Sequence, residues 1–390
     1  MRSVRVKLKC IVAVLALALI GGCGKSQDKL TLRLAHILDP STPVHKAMAF
    51  MAARLDSLSG GTMHVVIYPS GQLGNERECL ELLQLGSLDM TKVSSSVVEN
   101  FVPAMGVYSL PYLFRDQAHY WQVFNGKIGK EILLQGEPYW LRGLCYYDAG
   151  FRSFFLRDKA VYEPRDLAGL KIRVMRSNLS IRSINLLGGN ATPLPYSELY
   201  SALQQGVVDG AENNPPNFYQ KRFFELCKYF VLDEHSAPPD VLLISTHTWN
   251  KLTPQQQAWL QQAVAESVTY QRKLWDEMTR KALEAVQAAG VKIIYPDKSK
   301  FRAAVKPIYD ELAGTELGVW AKRIIALTGA GTKQLLDEIT TFLPQSYSAD
   351  ISTTPSTSLQ VGIIGRPNVG KSLLTNRLIG AQRMIVSAQP

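Results

Sequence analysis

Residues 365 to 372, GRPNVGKS, have the types and spacing of a phosphate-binding loop. Gly365 and Gly370 let backbone N–H groups wrap phosphates, Lys371 reaches the terminal phosphates, and the Ser372 hydroxyl supplies a magnesium ligand. The flanks agree. "LQVGII" alternates like a strand, and "KSLLTNRLIGA" is patterned like a helix whose N-terminus faces the anion. Hydrolysis asks for more, namely a group that positions the attacking water and a second magnesium anchor. No D-x-x-G or N-K-x-D stretch follows before Pro390. A strand–loop–helix of about 32 residues is also too small to bury a core of its own. The expectation is a truncated, inactive nucleotide-loop fragment over 359–390.

The second chemistry in the chain is anion capture. Arg173 ends the strand-like run "LKIRV" just before a helix start at Ser177-Asn178. That places it at the C-terminal edge of a sheet, facing a cleft. Its planar guanidinium matches a carboxylate with two parallel hydrogen bonds. Arg152, in "AGFRSFF", is a second cation among aromatic residues. Glu76, in "LGNERE", is placed either to accept from ligand hydroxyls or to serve as a helix-start acid. Nothing suggests an enzyme: no nucleophile–base pair is evident, the six histidines do not cluster, and Cys10, Cys23, Cys79, Cys145 and Cys227 lack zinc spacing. The spacing fixes no disulfide, and no cofactor is implied.

The elements that must position these groups alternate between strand and helix. "KLTLRLAHIL" and "MHVVIYPSG" alternate like strands, while "HKAMAFMAARLDSLSGG" and "NERECLELLQLGSLD" have helical periodicity. A second set begins near "GLCYYDAGFRSFFL" and continues through "LKIRVM", "NLSIRSINLLGG" and "SELYSALQQGVVDGAE". This rhythm predicts parallel sheets covered by helices on both faces. Thr253-Pro254-Gln255-Gln256 is a capping box with proline at the first helical position. The helical pattern runs from there to Ala289, with Gly290 as the stop. Unbroken, such a helix spans roughly 54 Å, enough to lie across two lobes and tie them together.

Of 390 residues, 43 are Lys or Arg and 33 Asp or Glu, a net charge of +10. Residues 1–22 carry four basic and no acidic residues, and residues 347–390 four basic and one acidic, which leaves +3 for the middle. There is no basic stripe, so no nucleic-acid partner is expected. The start is basic (Arg2, Arg5, Lys7, Lys9) and is followed by an apolar run from Cys10 to Ile20, too short to span a bilayer and right for a signal-peptide core. Residues 347–358, "YSADISTTPSTS", have the composition of a linker.

Several blocks in order, "YPSGQLGNERECLELLQLGSLDM", "VPAMGVYSLPYLFRD", "LAGLKIRV" and "ELYSALQQGVVDGAEN", resemble the substrate-binding subunit of TRAP transporters, the DctP family, over about residues 30 to 345. The resemblance implies an α/β fold of the two-lobed periplasmic-binding-protein type. A hinge closes over a carboxylate solute, which passes to a sodium-driven TRAP permease. In the family, the arginine matching Arg173 clamps the carboxylate and the one matching Arg152 faces it. The asparagine matching Asn213 hydrogen-bonds the ligand, and an aromatic residue at Tyr196 stacks over it. His36 and Asp39 follow the first strand, where family members often contact substrate. "ENNPPNFYQKRFFELCKYFVLDEH" resembles members that take sugar acids, which makes a hexuronate the expected solute and a C4-dicarboxylate the competing one. "IGGC", residues 20–23, resembles a lipoprotein cleavage box. Residues 1–23 would then be a signal peptide with Cys23 lipidated, anchoring a binding domain over 24–346 to the membrane in the periplasm. "VGIIGRPNVGKSLLTNRLIGAQRMIVS" resembles the first segment of an EngA/Der GTPase domain, so the tail is expected to be a fusion remnant.

Overall fold

A computed structural model describes residues 29–327. The stretch 1–23 expected to be a signal peptide, Cys23, the expected linker 347–358 and the phosphate-loop residues Gly365, Gly370, Lys371 and Ser372 lie outside the described residues.

The described part holds two sheets. The first orders its strands β2-β1-β3-β10-β4, with β1 Leu30–Ala35, β2 Met63–Tyr68, β3 Met90–Ser94, β4 Leu141–Tyr147 and β10 Asp240–Ser245. The second orders them β11-β9-β5-β8-β6-β7, with β5 Arg152–Leu156, β6 Lys171–Val174, β7 Asn190–Pro193, β8 Gly210–Asn213, β9 Tyr229–Ser236 and β11 Lys292–Ile294. The helices that bear on the site are α1 Pro43–Leu58, α2 Glu76–Gln84, α3 Ser95–Val98, α4 Asn178–Leu186, α5 Pro215–Gln220 and α6 Pro254–Ala288.

Local sequence explains these elements. In β1, Leu32 and Leu34 are buried while Thr31 and Arg33 face solvent, the period of two expected of a strand with one wet face. Helix α1 starts where Thr42 accepts from the His45 N–H and Pro43 occupies the first turn. Its buried stripe, Val44, Ala47, Met48, Met51 and Leu55, has the 3–4 spacing of one helical face. Burying each of the larger side chains contributes about 1.5–3 kcal/mol as an upper estimate.

The sheets are mixed rather than parallel throughout, a correction to the sequence expectation. Strands β1, β2 and β3 are parallel, as are β6, β7 and β8, but β10 runs antiparallel to β3 and β4, and β5 antiparallel to β8 and β9. The cause is connectivity. The run "GLCYYDAGFRSFFL" does not open the second lobe as one unit. It is divided between β4 in the first sheet and β5 in the second. Strands β9 and β10 make the return crossing, so each lobe receives strands of opposite direction.

Helix α6 is the third tie. Its capping box is formed, Thr253 with Gln256, and it runs unbroken for 35 residues, roughly 52 Å at 1.5 Å per residue. It ends one residue short of the expected boundary, ahead of Gly290 at φ +91°. Leu260, Ala263 and Val264 pack into the core of the first lobe with Met48 and Met51. Val286 packs into the core of the second with Phe155 and Phe230. Between them Gln271 clamps the first crossing segment: its Oε1 accepts from the Asp148 N–H at 2.9 Å and its Nε2 donates to the Asp148 carbonyl at 2.9 Å. The segment turns at Gly150, φ +61°, where a Cβ would stand 3.1 Å from the Trp275 indole nitrogen.

Candidate functional site

The strand ends of both sheets meet at a narrow, partly open cavity between the lobes. An adjoining narrow space shares Ile37, Glu76, Arg173, Met175 and Tyr196. Arg173 lies near the end of β6, with Ser177 capping α4 three residues after that strand. Its side chain is buried, 2% exposed. Nε and Nη2 donate to the Leu194 carbonyl at 2.9 and 2.7 Å, while Nη1 is buried with no partner. No carboxylate neutralises it at contact distance among the described residues, and burial lowers its pKa to about 10. A buried cation left in this way is costly until an anion arrives.

Arg152 is arranged differently. Nε and Nη2 pair with the Glu212 carboxylate, Nη2 also reaches the Glu212 carbonyl at 2.6 Å, and Nη1 donates to Asn213 Oδ1 at 3.0 Å. Its charge is already balanced, and it lines the cavity as a held, not a free, guanidinium. Glu212 continues inward to His235 at 3.9 Å, which is hydrogen-bonded to Asp233 at 2.8 Å. Burial opposes charging His235, but Asp233 and Glu212 outweigh it and raise its pKa. Asn213 Oδ1 takes three donors, from Arg152, the Asn214 N–H and Asn217 Nδ2. Its acceptor face is used up, so its Nδ2 is what remains for a ligand. Tyr196 lines both spaces, and its hydroxyl is a second buried polar atom without a partner.

The facing wall belongs to the first lobe. Glu76 opens α2 behind the Asn75–Glu78 capping box, and its Oε1 accepts from the Ser94 N–H at 2.9 Å. Lys92, on β3, puts Nζ 3.0 Å from Asp240 Oδ1 and 3.8 Å from Glu76 Oε1. Burial raises the Glu76 pKa, against Lys92, which favours its ionised form.

The structure therefore brings Arg173, Arg152, Asn213, Tyr196 and Glu76 to one cavity. It places His36 and Asp39 elsewhere. His36 is buried beside the lining residues Ile37 and Leu38: its Nδ1 accepts from the Leu38 N–H at 3.1 Å and its Nε2 meets His45 at 3.0 Å. Burial, then Lys92, hold it neutral, with its pKa down at about 3. Asp39 is exposed and accepts from the Ser41 N–H at 2.9 Å in the turn before α1. Sequence reasoning missed Lys92, Asp240 and Glu212. The available signal was a lysine inside the strand "MTKVS" and an acid beside Asn213, since charged residues are rarely fully buried unless paired.

The lobes also meet at the cavity mouth. Glu99, just after α3, accepts from Ser109 Oγ at 2.7 Å and stands near Ser177 and the Asn178 and Leu179 N–H groups that begin α4. Asn100 Nδ2 donates to the Arg176 carbonyl at 2.8 Å. A wider recess of about 630 Å³ lies behind the crossing segment, bounded by Tyr112, Gly150, Trp275 and Arg302. Its lining includes the Lys298–Glu234 ion pair and the Gln117–Asp276 hydrogen bond, and Arg115 and Arg302 there are exposed, unlike the buried Arg173.

Two α/β lobes joined by crossing segments, with an uncompensated arginine buried between them, define a periplasmic-type solute-binding protein. A family model described as bacterial extracellular solute-binding protein, family 7, matches residues 34–315, and one for 50S ribosome-binding GTPases matches residues 360–390. The uncharacterized protein YiiZ of Salmonella typhimurium is 39% identical over 289 residues, covering 74% of this chain and 88% of that protein. The C4-dicarboxylate-binding periplasmic protein DctP of Rhodobacter capsulatus is 30% identical over 311 residues, 78% of this chain and 93% of that protein. A TRAP periplasmic solute-binding protein from a Bradyrhizobium species, in complex with galacturonate, is similar with TM-score 0.74 and 42% identity, covering 76% of this chain and 99% of that one. Another, from Pseudomonas putida with bound D-glucuronate, has TM-score 0.74 and 36% identity, covering 76% and 97%. The chain belongs to family 7 of the bacterial extracellular solute-binding proteins. Its main body is a non-enzymatic periplasmic solute-binding protein of the TRAP type.

Proposed function

We propose that the protein captures a hexuronate, glucuronate or galacturonate, and delivers it to a sodium-coupled TRAP permease. The observation that carries this is the buried Arg173 Nη1 without a partner inside the inter-lobe cavity. The ligand carboxylate pairs with Arg173. Asn213 Nδ2 donates to the same end of the ligand, Arg152 holds Asn213 in place, and Tyr196 covers the sugar ring. Glu76 accepts from ring hydroxyls. His36 and Asp39 act through the loop they brace, which presents Ile37 and Leu38 to the cavity. The reading is supported by the similar solved proteins, whose bound ligands are galacturonate and glucuronate. Calorimetry tests it. Heat with either uronate is expected, and heat with succinate or malate alone would refute it. That second outcome has its own support, because the Rhodobacter capsulatus relative is named for C4-dicarboxylate binding.

The same reading includes a lipid anchor at Cys23, which places the protein at the membrane beside the permease. Intact mass of the membrane-extracted protein checks this, and Cys23→Ser should release it in soluble form. We assign no hydrolysis to the stretch 360–390, whose sequence has the phosphate-loop pattern of Gly365, Gly370, Lys371 and Ser372 but no D-x-x-G stretch to position a water. Incubation with GTP should release no phosphate above the buffer rate.

A further inference from the structure

The geometry points to Glu76, Lys92 and Asp240 as the selectivity element of the site, a buried wall that accepts hydroxyls and rejects a second carboxylate. This rests on the cavity being an organic-acid site, as proposed above, and adds what decides between acids.

Three separate elements build the wall. Glu76 is the first residue of α2, Lys92 lies in β3, and Asp240 opens β10, which pairs antiparallel with β3 so that Asp240 faces Ser94 and Leu242 faces Lys92. Lys92 is 2% exposed, yet its ammonium is shared between two carboxylates, at 3.0 Å from Asp240 and 3.8 Å from Glu76. The Ser94 N–H fixes one oxygen of Glu76 and Lys92 fixes one oxygen of Asp240. The other oxygen of each carboxylate remains as an acceptor, and all three residues line the same cavity as Arg173.

The charges divide the cavity into two unlike ends. On the second-lobe wall Arg152 is balanced by Glu212, so Arg173 is the uncompensated cation. On the first-lobe wall two carboxylates share one ammonium, an excess of one negative charge when all three are ionised. His36, packed behind that wall, is neutral and adds nothing positive. A monoacid bearing hydroxyls fits this polarity. Its carboxylate goes to Arg173, and its hydroxyls donate to the outer oxygens of Glu76 and Asp240. A C4-dicarboxylate that satisfies Arg173 with one end presents the other to two acceptor-only carboxylates away from water. The Lys92 ammonium on that wall is already hydrogen-bonded to Asp240 at 3.0 Å and stands 3.8 Å from Glu76, so its charge is taken up by those two carboxylates. Like-charge contact in a desolvated site suppresses the wrong partner by roughly 100-fold or more.

The test compares D-glucuronate, D-galacturonate, succinate and L-malate by calorimetry on wild type, Glu76→Gln and Asp240→Asn, each checked for folding by thermal melting. Wild type is expected to prefer the uronates. Each neutralised variant should bind uronates roughly 10-fold more weakly, through loss of a charged acceptor, and succinate roughly 10-fold more tightly, so that the preference falls about 100-fold. If Asp240→Asn does not fold, Glu76→Gln carries the test alone, because glutamine keeps an oxygen for the Ser94 N–H. An unchanged uronate-to-succinate ratio, with both affinities falling together, overturns the selectivity role and leaves uronate binding intact. A wild type that prefers succinate overturns the sugar-acid reading and this inference with it.

Discussion

Replacing Arg173 with methionine separates a ligand clamp from a structural arginine, because only the structural role predicts a large loss of stability in the unliganded protein. In the structure Nη1 has no partner and the side chain is 2% exposed. Burial, above all, pulls its pKa down from the usual guanidinium range to about 10. That fall corresponds to about 3 kcal/mol spent in keeping the cation charged without an anion. Methionine removes this cost and keeps most of the volume. It also strands the Leu194 carbonyl, which costs about 1–3 kcal/mol. The two nearly cancel, so unliganded stability should change by less than about 2 kcal/mol in urea unfolding. Binding should behave quite differently. Truncating one partner of a buried charged pair costs about 2–5 kcal/mol, which is roughly 30-fold to several thousand-fold in Kd. Calorimetry with glucuronate and galacturonate reads that loss. Lys251→Ala, an exposed change just before α6, should leave Kd within twofold. The reasoning is refuted if Arg173→Met binds within threefold of wild type, or if it loses stability by much more than 3 kcal/mol while unliganded.

Three further outcomes follow from the same contacts. Glu99 has its pKa raised to about 7, mainly by burial, so its contribution to stability is full below pH 4.5 and is lost as pH rises through 7. Glu99→Gln should therefore flatten the melting temperature between pH 5 and 8, removing up to about 3 kcal/mol of dependence; a profile as steep as wild type would count against the contact. His36 works in the opposite sense. Held neutral with a pKa near 3, it supports folding above pH 6.5 and withdraws that support as pH falls, about 3 kcal/mol by pH 4, and His36→Asn should remove that acid limb in equilibrium unfolding. Gly150→Ala forces a left-handed residue against Trp275 and should cost about 1–2 kcal/mol in urea unfolding, while Asn at the same position should cost less.

Much of this protein was legible because its signals are local. The Thr253–Gln256 capping box and the 3–4 apolar spacing marked α6 almost to its last residue, since caps and periodicity depend only on near neighbours. Arg173 before Ser177-Asn178 was readable as a strand-end residue for the same reason. The ordered motifs placed the chain in its family, and the family carried the two-lobed design. The phosphate-loop motif was equally legible as a pattern of residues, and a GTPase family model matches the same stretch, residues 360–390.

Tertiary structure decided the rest, because charge compensation is a matter of distance and not of spacing along the chain. Arg152 and Arg173 look alike in sequence, but only folding brings Glu212 onto the first and leaves the second unpaired. Lys92 and Asp240 stand 148 positions apart and become one buried pair when β10 returns antiparallel to β3. His36 sits one residue from the cavity lining, yet its ring turns towards His45, because packing of that loop and not its place after β1 sets where the side chain goes. Which strands ran antiparallel was equally invisible in the alternation of β1 and β2, since a period of two is the same in either direction and only the path of the chain between the lobes sets the pairing.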